Sequence, residues 1–360
     1  MRFLFLMFLL VLFISACAPK QDAVRRFFWP PPPDTPKIEY IGVLQSDWDV
    51  RKLDVGSLEE TIFGREKPKP MFERPFDVVS DSKGRIIVSE PILHTVKQID
   101  LNAAEMMFAK GADGEAYNFK LPLGLSLDRE GNVYVVDSID KKIIILDRQL
   151  TIVNNWRGGH FSRPANLAID EVNGRVYVVE PDQHKVLVLA KDDGRLIGSF
   201  GERGGEDGQF NFPLDVDTDS EGNVYVLDSL NARVQVFDPE GEFLRKFGER
   251  GTALGSFRLP KGLSVGADDL VFVTDSLAHR VVIFDKIGNY LLTIGGRASI
   301  SEQGLLPGGF YMPQGLDVDV GGQVWVVDAL NGLVSRFQYL NDAYLESHPI
   351  LPGQAVDPFN

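Results

Sequence analysis

Side chains that could bind a metal ion stand at fixed distances behind four of six regularly spaced prolines in this 360-residue chain. The prolines are Pro75, Pro122, Pro164, Pro213, Pro260 and Pro313. Two or four residues behind four of them stand Asp77, Asn166, Asp215, Asp217 and Asp317. Carboxylate and amide oxygens are the ligands that Ca²⁺ takes in proteins, so these residues are candidate calcium ligands. The alternative is that they are acids at a channel mouth and meet only water.

A second acidic residue follows each proline by fifteen residues, or by sixteen behind Pro164. These repeat acids are Glu90, Asp137, Glu180, Asp228, Asp275 and Asp328. Each ends a stretch with the pattern of a strand, where a carboxylate can accept hydrogen bonds from the backbone N–H groups of the following turn. Because all six repeats carry the acid, we expect a structural role for this set.

The repeat that holds these residues is about 47 residues long and has a hydrophobic period of two. The third residue after each proline is Val or Leu, and "NVYVLD" at 223–228 continues the alternation. Alternation with β-branched residues indicates strands, and turns such as "EGN" at 221–223 separate them. Each repeat therefore predicts a four-stranded antiparallel meander.

Six such repeats predict an all-β fold, a six-bladed β-propeller over residues 38–348. A two-sheet sandwich, the alternative, does not require six equal repeats. The sixth repeat has only three strands, and we expect residues 38–45 to complete it and close the ring. Residues 46–70 fit no blade and are expected to form a short helical cap, and residues 349–360 a C-terminal tail.

The first residues have the pattern of a targeting segment. Arg2 and the twelve apolar residues behind it are typical of a secretory signal peptide, and the run is shorter than the roughly 20 residues that span a bilayer. Residues 14–17, "ISAC", resemble the lipobox of bacterial lipoproteins, which implies removal of residues 1–16 and lipidation of Cys17, the one cysteine of the chain. The alternative is an ordinary secreted protein with a chance cysteine.

The segment behind the cysteine is rich in proline. Residues 17–37 predict an extended tether that reaches on the order of 60 Å. Within it, "RRFFW" at 25–29 either lies on the lipid surface or is unstructured.

The segment "DSLNARVQVFDPEGEFLRKFG" at 228–248 resembles an NHL repeat, whose hallmark D-x-x-N-x-R is matched by Asp228, Asn231 and Arg233. The other repeats match it in part. A lipobox, a Pro-rich tether and six blades together resemble the NHL-type propeller lipoproteins of bacteria. The resemblance implies a propeller from a family whose members dock proteins, bind RNA or, in a minority, act as lyases and lactonases.

The resemblance also concerns metal chemistry. Ca²⁺ bound by axial acids would match gluconolactonase-like propellers. Peptidyl-hydroxyglycine amidating lyases, which resemble this fold, carry zinc-binding His residues directly after the strand-opening proline. Here those positions hold Phe76, Leu123, Ala165, Leu214, Lys261 and Gln314, so we expect that zinc chemistry to be absent.

Three further His residues, His94, His184 and His279, each follow a repeat acid by four residues. The strand spacing puts them about 15 Å apart, too far to share a zinc ion. We expect them to lie on the solvated surface.

Composition narrows the function classes. A net charge of −14 without a run of Lys or Arg argues against a nucleic-acid partner. We expect a monomeric, non-catalytic docking or scaffold propeller in the cell envelope, attached to a membrane by its lipid, with the outer membrane favoured by Ala18. Protein partners would bind the loops before each proline and after each repeat acid.

Two alternatives remain open at this point. One is a metal-dependent lactonase or lyase that uses the axial acids, and the other is a carbohydrate-binding module. Whether the protein is an enzyme is undecided, and the sequence favours a binding protein. No cofactor is expected, with Ca²⁺ as the exception that the axial acids could hold.

Overall fold

The structure, a computed structural model, describes residues 26–31, 33–50, 67–300, 305–351 and 354–356. Two strands precede the first blade, β1 (Arg26–Trp29) and β2 (Ile38–Leu44). Blade one contains β3 (Asp77–Ser80), β4 (Arg85–Glu90), β5 (Thr95–Asp100) and β6 (Glu105–Phe108). Blade two contains β7 (Pro122–Leu127), β8 (Val133–Asp137), β9 (Lys142–Leu146) and β10 (Ile152–Arg157). Blade three contains β11 (Leu167–Asp170), β12 (Arg175–Glu180), β13 (Lys185–Ala190) and β14 (Leu196–Phe200).

The second half of the ring continues the order. Blade four contains β15 (Pro213–Thr218), β16 (Val224–Asp228), β17 (Arg233–Phe237) and β18 (Phe243–Phe247). Blade five contains β19 (Pro260–Val265), β20 (Val271–Asp275), β21 (Arg280–Phe284) and β22 (Tyr290–Gly295). Blade six contains β23 (Pro313–Val318), β24 (Gln323–Asp328) and β25 (Leu333–Tyr339). The helix α1 (Asp342–Ser347) and the strand β26 (Ala355–Val356) follow.

The sheets form a closed ring. Strands within each blade pair antiparallel in sequence order, and the innermost strand of each blade contacts the innermost strand of the next. β23 of blade six contacts β3 of blade one, which closes the circle. The predicted six-bladed β-propeller is confirmed, and the sandwich alternative is wrong.

The hydrophobic core lies between the blades. One cluster joins Tyr225 and Val234 of blade four to Leu263 and Val273 of blade five, and the other clusters join neighbouring blades in the same way. The second and third strands are buried on both faces because each blade is packed between two others, as the VYVLD segment at 224–228 shows. A single blade could not bury these faces alone.

A phenylalanine three residues before each proline anchors the link that enters the blade. The six are Phe72, Phe119, Phe161, Phe210, Phe257 and Phe310, and all are buried. In the link to blade five, Gly248 has a φ of +80°, and a Cβ atom there would come within 2.4 Å of the Phe257 ring. Only glycine adopts such a conformation readily and leaves room for the ring. The sequence carries this F-x-x-P signal in all six repeats, and the sequence analysis missed it.

Blade six is completed by the N-terminal part of the chain. β2 pairs antiparallel with β25, which confirms the closing strand predicted at 38–45. The extended tether predicted over 17–37 is wrong from Arg26 onward, because β1 pairs with β2 and buries Phe28 and Trp29. The tail predicted over 349–360 is also partly ordered, since β26 pairs parallel with β1.

Of the helical cap predicted over 46–70, only its ends lie in the described part. A 3₁₀ helix spans Asp47–Asp49, and Ser46 forms an isolated β-bridge with Pro70. Residues 51–66 lie outside the described residues.

Candidate functional site: the two ends of the propeller axis

The first candidate region is a polar layer across the axis, built two residues behind the prolines. Asp77, Asn166 and Asp215 occupy this layer, and glycines stand at the same position in the other three blades. A Cβ atom on Gly124 would come within 2.0 Å of Asn166 Oδ1, and one on Gly315 within 2.1 Å of Asp77 Oδ1. Gly124 and Gly315 therefore leave the space that Asn166 and Asp77 fill, whereas a Cβ atom on Gly262 would come within 2.5 Å of the backbone oxygen of Gln314.

Hydrogen bonds connect the members of this layer to one another. Asn166 Nδ2 donates to Asp215 Oδ1 at 2.6 Å and to Asp77 Oδ2 at 3.4 Å. Each aspartate also accepts a backbone N–H from the innermost strand of the next blade. Leu125 donates to Asp77 at 2.9 Å, and Leu263 donates to Asp215 at 2.7 Å.

A second layer lies two residues further along the same strands. Asp217 accepts the Val265 N–H at 2.7 Å, and Asp317 accepts both the N–H and the hydroxyl of Ser80, at 2.8 and 2.7 Å. Innermost strands are sheet edges, whose free N–H groups need partners. The axial acids supply those partners from blade to blade.

Burial changes the protonation of these acids. Loss of hydration raises the pKa of Asp217 to about 6, of Asp77 to about 7 and of Asp317 to about 8. It also raises the pKa of Asp215 well above its ordinary value, with the nearby Asp77 carboxylate adding to the shift. Desolvation exceeds the opposing effect of the backbone hydrogen bonds in each case.

The acids line a cavity of about 420 Å³ on the axis. The cavity ends at the Asp77–Asn166–Asp215 layer and extends to the turns that join the first and second strands, where Ser82 and Val320 lie. We call the face formed by these turns the hairpin face. The structure thus brings together all five residues that the sequence predicted as metal ligands.

The hydrogen bonds of the axial aspartates occupy oxygens that a metal ion would need. In the described residues, no group of three or more His, Cys, Asp or Glu has the geometry to hold a metal ion. At least one oxygen of each axial aspartate already accepts an N–H or O–H hydrogen bond. Calcium binding by the axial acids stays an untested prediction, and the contacts give these residues a structural task without it.

The repeat acids lie at the other end of the axis and are fully buried. They accept backbone N–H bonds from the link that precedes the proline of their own blade, whereas we expected the donors in the turn that follows the acid. From that turn, the side-chain amides of Asn231 and Asn331 donate to Asp228 and Asp328. Asp275 is representative, because it accepts from Arg258 and Leu259 at 2.8 Å each. The pattern recurs in every blade, with donors one or two residues before the proline. These bonds hold the link to the loop between the second and third strands, so both lie on one face, which we call the loop face.

The three His residues also belong to the loop face. His184 and His279 each accept a backbone N–H from the next link, from Phe212 at 3.3 Å and from Met312 at 3.2 Å. The Nδ1 atom of His94 lies 3.1 Å from the carbonyl oxygen of Lys120. The expectation of solvated histidines is wrong for His184, which is buried.

The loop face carries a set of exposed apolar side chains that the sequence analysis missed. They stand two residues behind the repeat acid in five of the six blades and are between 41% and 61% exposed. This apolar ring comprises Ile92, Ile139, Leu230, Leu277 and Leu330. Blade three has Asp182 at the equivalent position. The spacing was visible in the sequence, but the exposure of the side chains was not.

The sequence predicts a lipid anchor at Cys17. Cys17 and residues 1–16 lie outside the described residues. Among the residues that are described, no helix has the length and apolar character needed to cross a bilayer.

Comparison with known proteins gives one repeat match and a likeness in fold. The family described as "NHL repeat" matches residues 210–237. Peptidyl-glycine alpha-amidating monooxygenase B of Xenopus laevis is 25% identical over 159 residues, which cover 40% of this chain and 18% of that protein. NHL repeat-containing protein 3 of Homo sapiens is 37% identical over 82 residues, which cover 22% of this chain and 23% of that protein. The match therefore spans less than a quarter of either relative.

Among solved structures, a streptogramin B lyase superposes with a TM-score of 0.56 at 12% identity, covering 75% of this chain and 94% of that chain. At that identity the likeness concerns the fold alone. The ring of six blades, the matched repeat and these likenesses agree: the chain carries an NHL repeat at residues 210–237 and has the fold of a six-bladed β-propeller.

Proposed function

We propose that the protein is a lipid-anchored lipoprotein of the cell envelope that docks a partner protein on its loop face and catalyses no reaction. The observation that carries the proposal is the apolar ring, which places Ile or Leu at one equivalent, exposed position in five blades. Clustered apolar side chains surrounded by polar residues are typical of protein interaction sites.

The axial acids need no catalytic role to account for their presence. Asp77, Asp215, Asp217 and Asp317 each accept a backbone N–H from a neighbouring blade, so their presence is explained by the fold. The anchor and the location rest on the sequence, where the "ISAC" lipobox precedes Ala18 and favours the outer membrane.

Replacement of the apolar ring tests the docking role. Leu230→Ser with Leu277→Ser should reduce chemical crosslinking to envelope proteins, measured on the full chain in its native envelope, by at least tenfold. The matched control is Leu244→Ser with Leu291→Ser, because these leucines are exposed to a similar extent, 46% and 48%, but lie on the outermost strands. Equal loss of crosslinks in both variants, or no loss in either, would refute docking through the ring.

A lyase or lactonase at the axial cavity is the second candidate. Its support is the cavity of about 420 Å³ with Asp217 and Asp317 on its wall, together with the likeness to an amidating monooxygenase and a lyase. Asp217→Asn with Asp317→Asn keeps acceptors for the backbone N–H groups and removes the charge. The readouts are the metal content of the protein and its turnover of lactone and peptidyl-hydroxyglycine substrates. The enzyme is favoured over the docking protein if the unmodified chain shows both and this variant loses both.

A further inference from the structure

Basic side chains surround the apolar ring on the loop face, although the chain as a whole is acidic, with a net charge of −14. Arg74, Lys120, Arg163 and Arg258 each stand one or two residues before a strand-opening proline, and all four are exposed. We call these four residues the basic collar. They lie in blades one, two, three and five, so the positive charge follows most of the ring.

Hydrogen bonds place two arginines, Arg258 of the basic collar and Arg250, directly beside residues of the apolar ring. Arg258 Nη1 donates to the carbonyl oxygen of Leu277 at 3.2 Å. Arg250 Nη2 donates to the carbonyl oxygen of Leu230 at 2.6 Å. Each of these leucines is thus flanked by a guanidinium group that has an N–H left for a ligand, since a guanidinium carries five donors.

One more basic residue stands nearer the axis. Lys261 follows Pro260 on the innermost strand of blade five and is only partly exposed. Its surroundings lower its pKa, because burial removes water from the ammonium group. A carboxylate that reached this ammonium would restore the lost charge stabilisation.

We infer that the partner contributes a chain segment in which apolar side chains alternate with Asp or Glu, bound across the apolar ring and the basic collar of the loop face. This inference rests on the docking role proposed above and names the chemistry of the docked segment. Apolar side chains of the segment contact Leu230, Leu277 and their equivalents, and its carboxylates pair with the arginines and lysines between them.

The shape and charge of the face favour a protein segment over an anionic membrane. Lys261 is only partly exposed on an innermost strand, so an extended segment contacts it more readily than a flat lipid surface does. Glu73, Asp140 and Asp182 interrupt the positive charge, and such interruptions oppose a uniform anionic surface more than a segment with separate carboxylates.

A peptide titration tests the inference. The full chain would be titrated by fluorescence anisotropy against a labelled 12-residue peptide of alternating Leu and Glu. Two comparison peptides alternate Leu with Lys and Ser with Glu. We expect the Leu–Glu peptide to bind at least tenfold more tightly than either, and its affinity to fall with added salt.

Variants connect the binding to the named residues. Lys120→Glu with Arg163→Glu should weaken the Leu–Glu peptide about tenfold or more. The matched control, Lys83→Glu with Arg129→Glu, reverses two exposed charges on the hairpin face and should leave the affinity unchanged. A uniform effect of both double variants would show non-specific charge attraction and overturn the inference.

Other outcomes separate this inference from the docking role. Binding of the Leu–Lys peptide as tight as that of the Leu–Glu peptide, or no peptide binding at all, overturns the acidic segment, while ring-dependent crosslinks would still support docking. Collar-dependent sedimentation with vesicles of phosphatidylglycerol, without peptide binding, would identify a membrane as the occupant and overturn the inference.

Discussion

The two ends of the propeller axis use their side chains in opposite ways. At the cavity end, acids of the type found in metal and catalytic sites have a structural role, because they accept backbone N–H groups from neighbouring blades. At the loop face, the repeat acids are buried and hydrogen-bond the links between blades, whereas exposed positions two residues behind them are apolar in five blades. The fold therefore explains why acids stand at the axis. It does not explain why apolar side chains are exposed on the loop face.

Removal of an axial acid should have the largest effect on this contrast. Asp215→Ala leaves the Leu263 N–H and one Asn166 N–H without their acceptor, and each unsatisfied buried donor costs about 1–3 kcal/mol. We expect the free energy of unfolding to fall by about 3 kcal/mol, measured by urea denaturation. Asp192→Ala, at an exposed acid, is the control and should change little. A loss of metal or activity without loss of stability would instead assign Asp215 to a functional site.

The pH dependence of stability tests the same end of the axis. A raised pKa means that the folded protein holds the proton more tightly than the unfolded chain, so the stabilisation is complete below the ordinary value of 3.8 and is lost as the pH rises to about 8. Each ionising carboxyl lowers the free energy of unfolding by up to about 1.4 kcal/mol per pH unit.

The variant Asp317→Asn isolates one carboxyl of this set. Urea midpoints measured between pH 5 and pH 8 should decline less steeply in this variant, because the group with a pKa of about 8 no longer titrates. Parallel profiles for both proteins would show that Asp317 has no raised pKa in the folded state.

The smallest effect is expected at the loop face. Leu230→Ser changes a side chain that is 41% exposed, so the free energy of unfolding should change by less than about 0.5 kcal/mol. The same substitution is expected to impair crosslinking to the partner. A large loss of stability would mean that the ring belongs to the core, and the contrast between the two ends would fail.

Much of the fold could be predicted because the repeat places the same residue types at the same offsets six times. The offset from Pro213 to Asp228 fixes two strands and their turn, and the missing fourth strand of blade six pointed to β2. β1 and β26 could not be predicted, because strands of four and two residues carry no readable alternation.

The site was harder to predict because its contacts join distant residues. Asp77 and its donor Leu125 are 48 positions apart and lie in different blades, so no local pattern connects them. The choice of Asp77, Asn166, Asp215, Asp217 and Asp317 as a cluster was correct in space. Their structural task became visible only when the hydrogen-bond partners were known.

The pairing of β1 with blade six also sets the reach of the proposed anchor. β1 begins at Arg26, nine positions after Cys17, and nine residues of any chain span at most about 30 Å, less than the expected tether of residues 17–37 would reach. β1 runs in the same direction as β23, away from the loop face, so the chain ahead of it leaves toward that face. A lipid on Cys17 would therefore keep the loop-face end of β1 within about 30 Å of the bilayer. If Cys17 carries the lipid, we expect the partner proposed above to be a protein embedded in, or lying on, the same membrane.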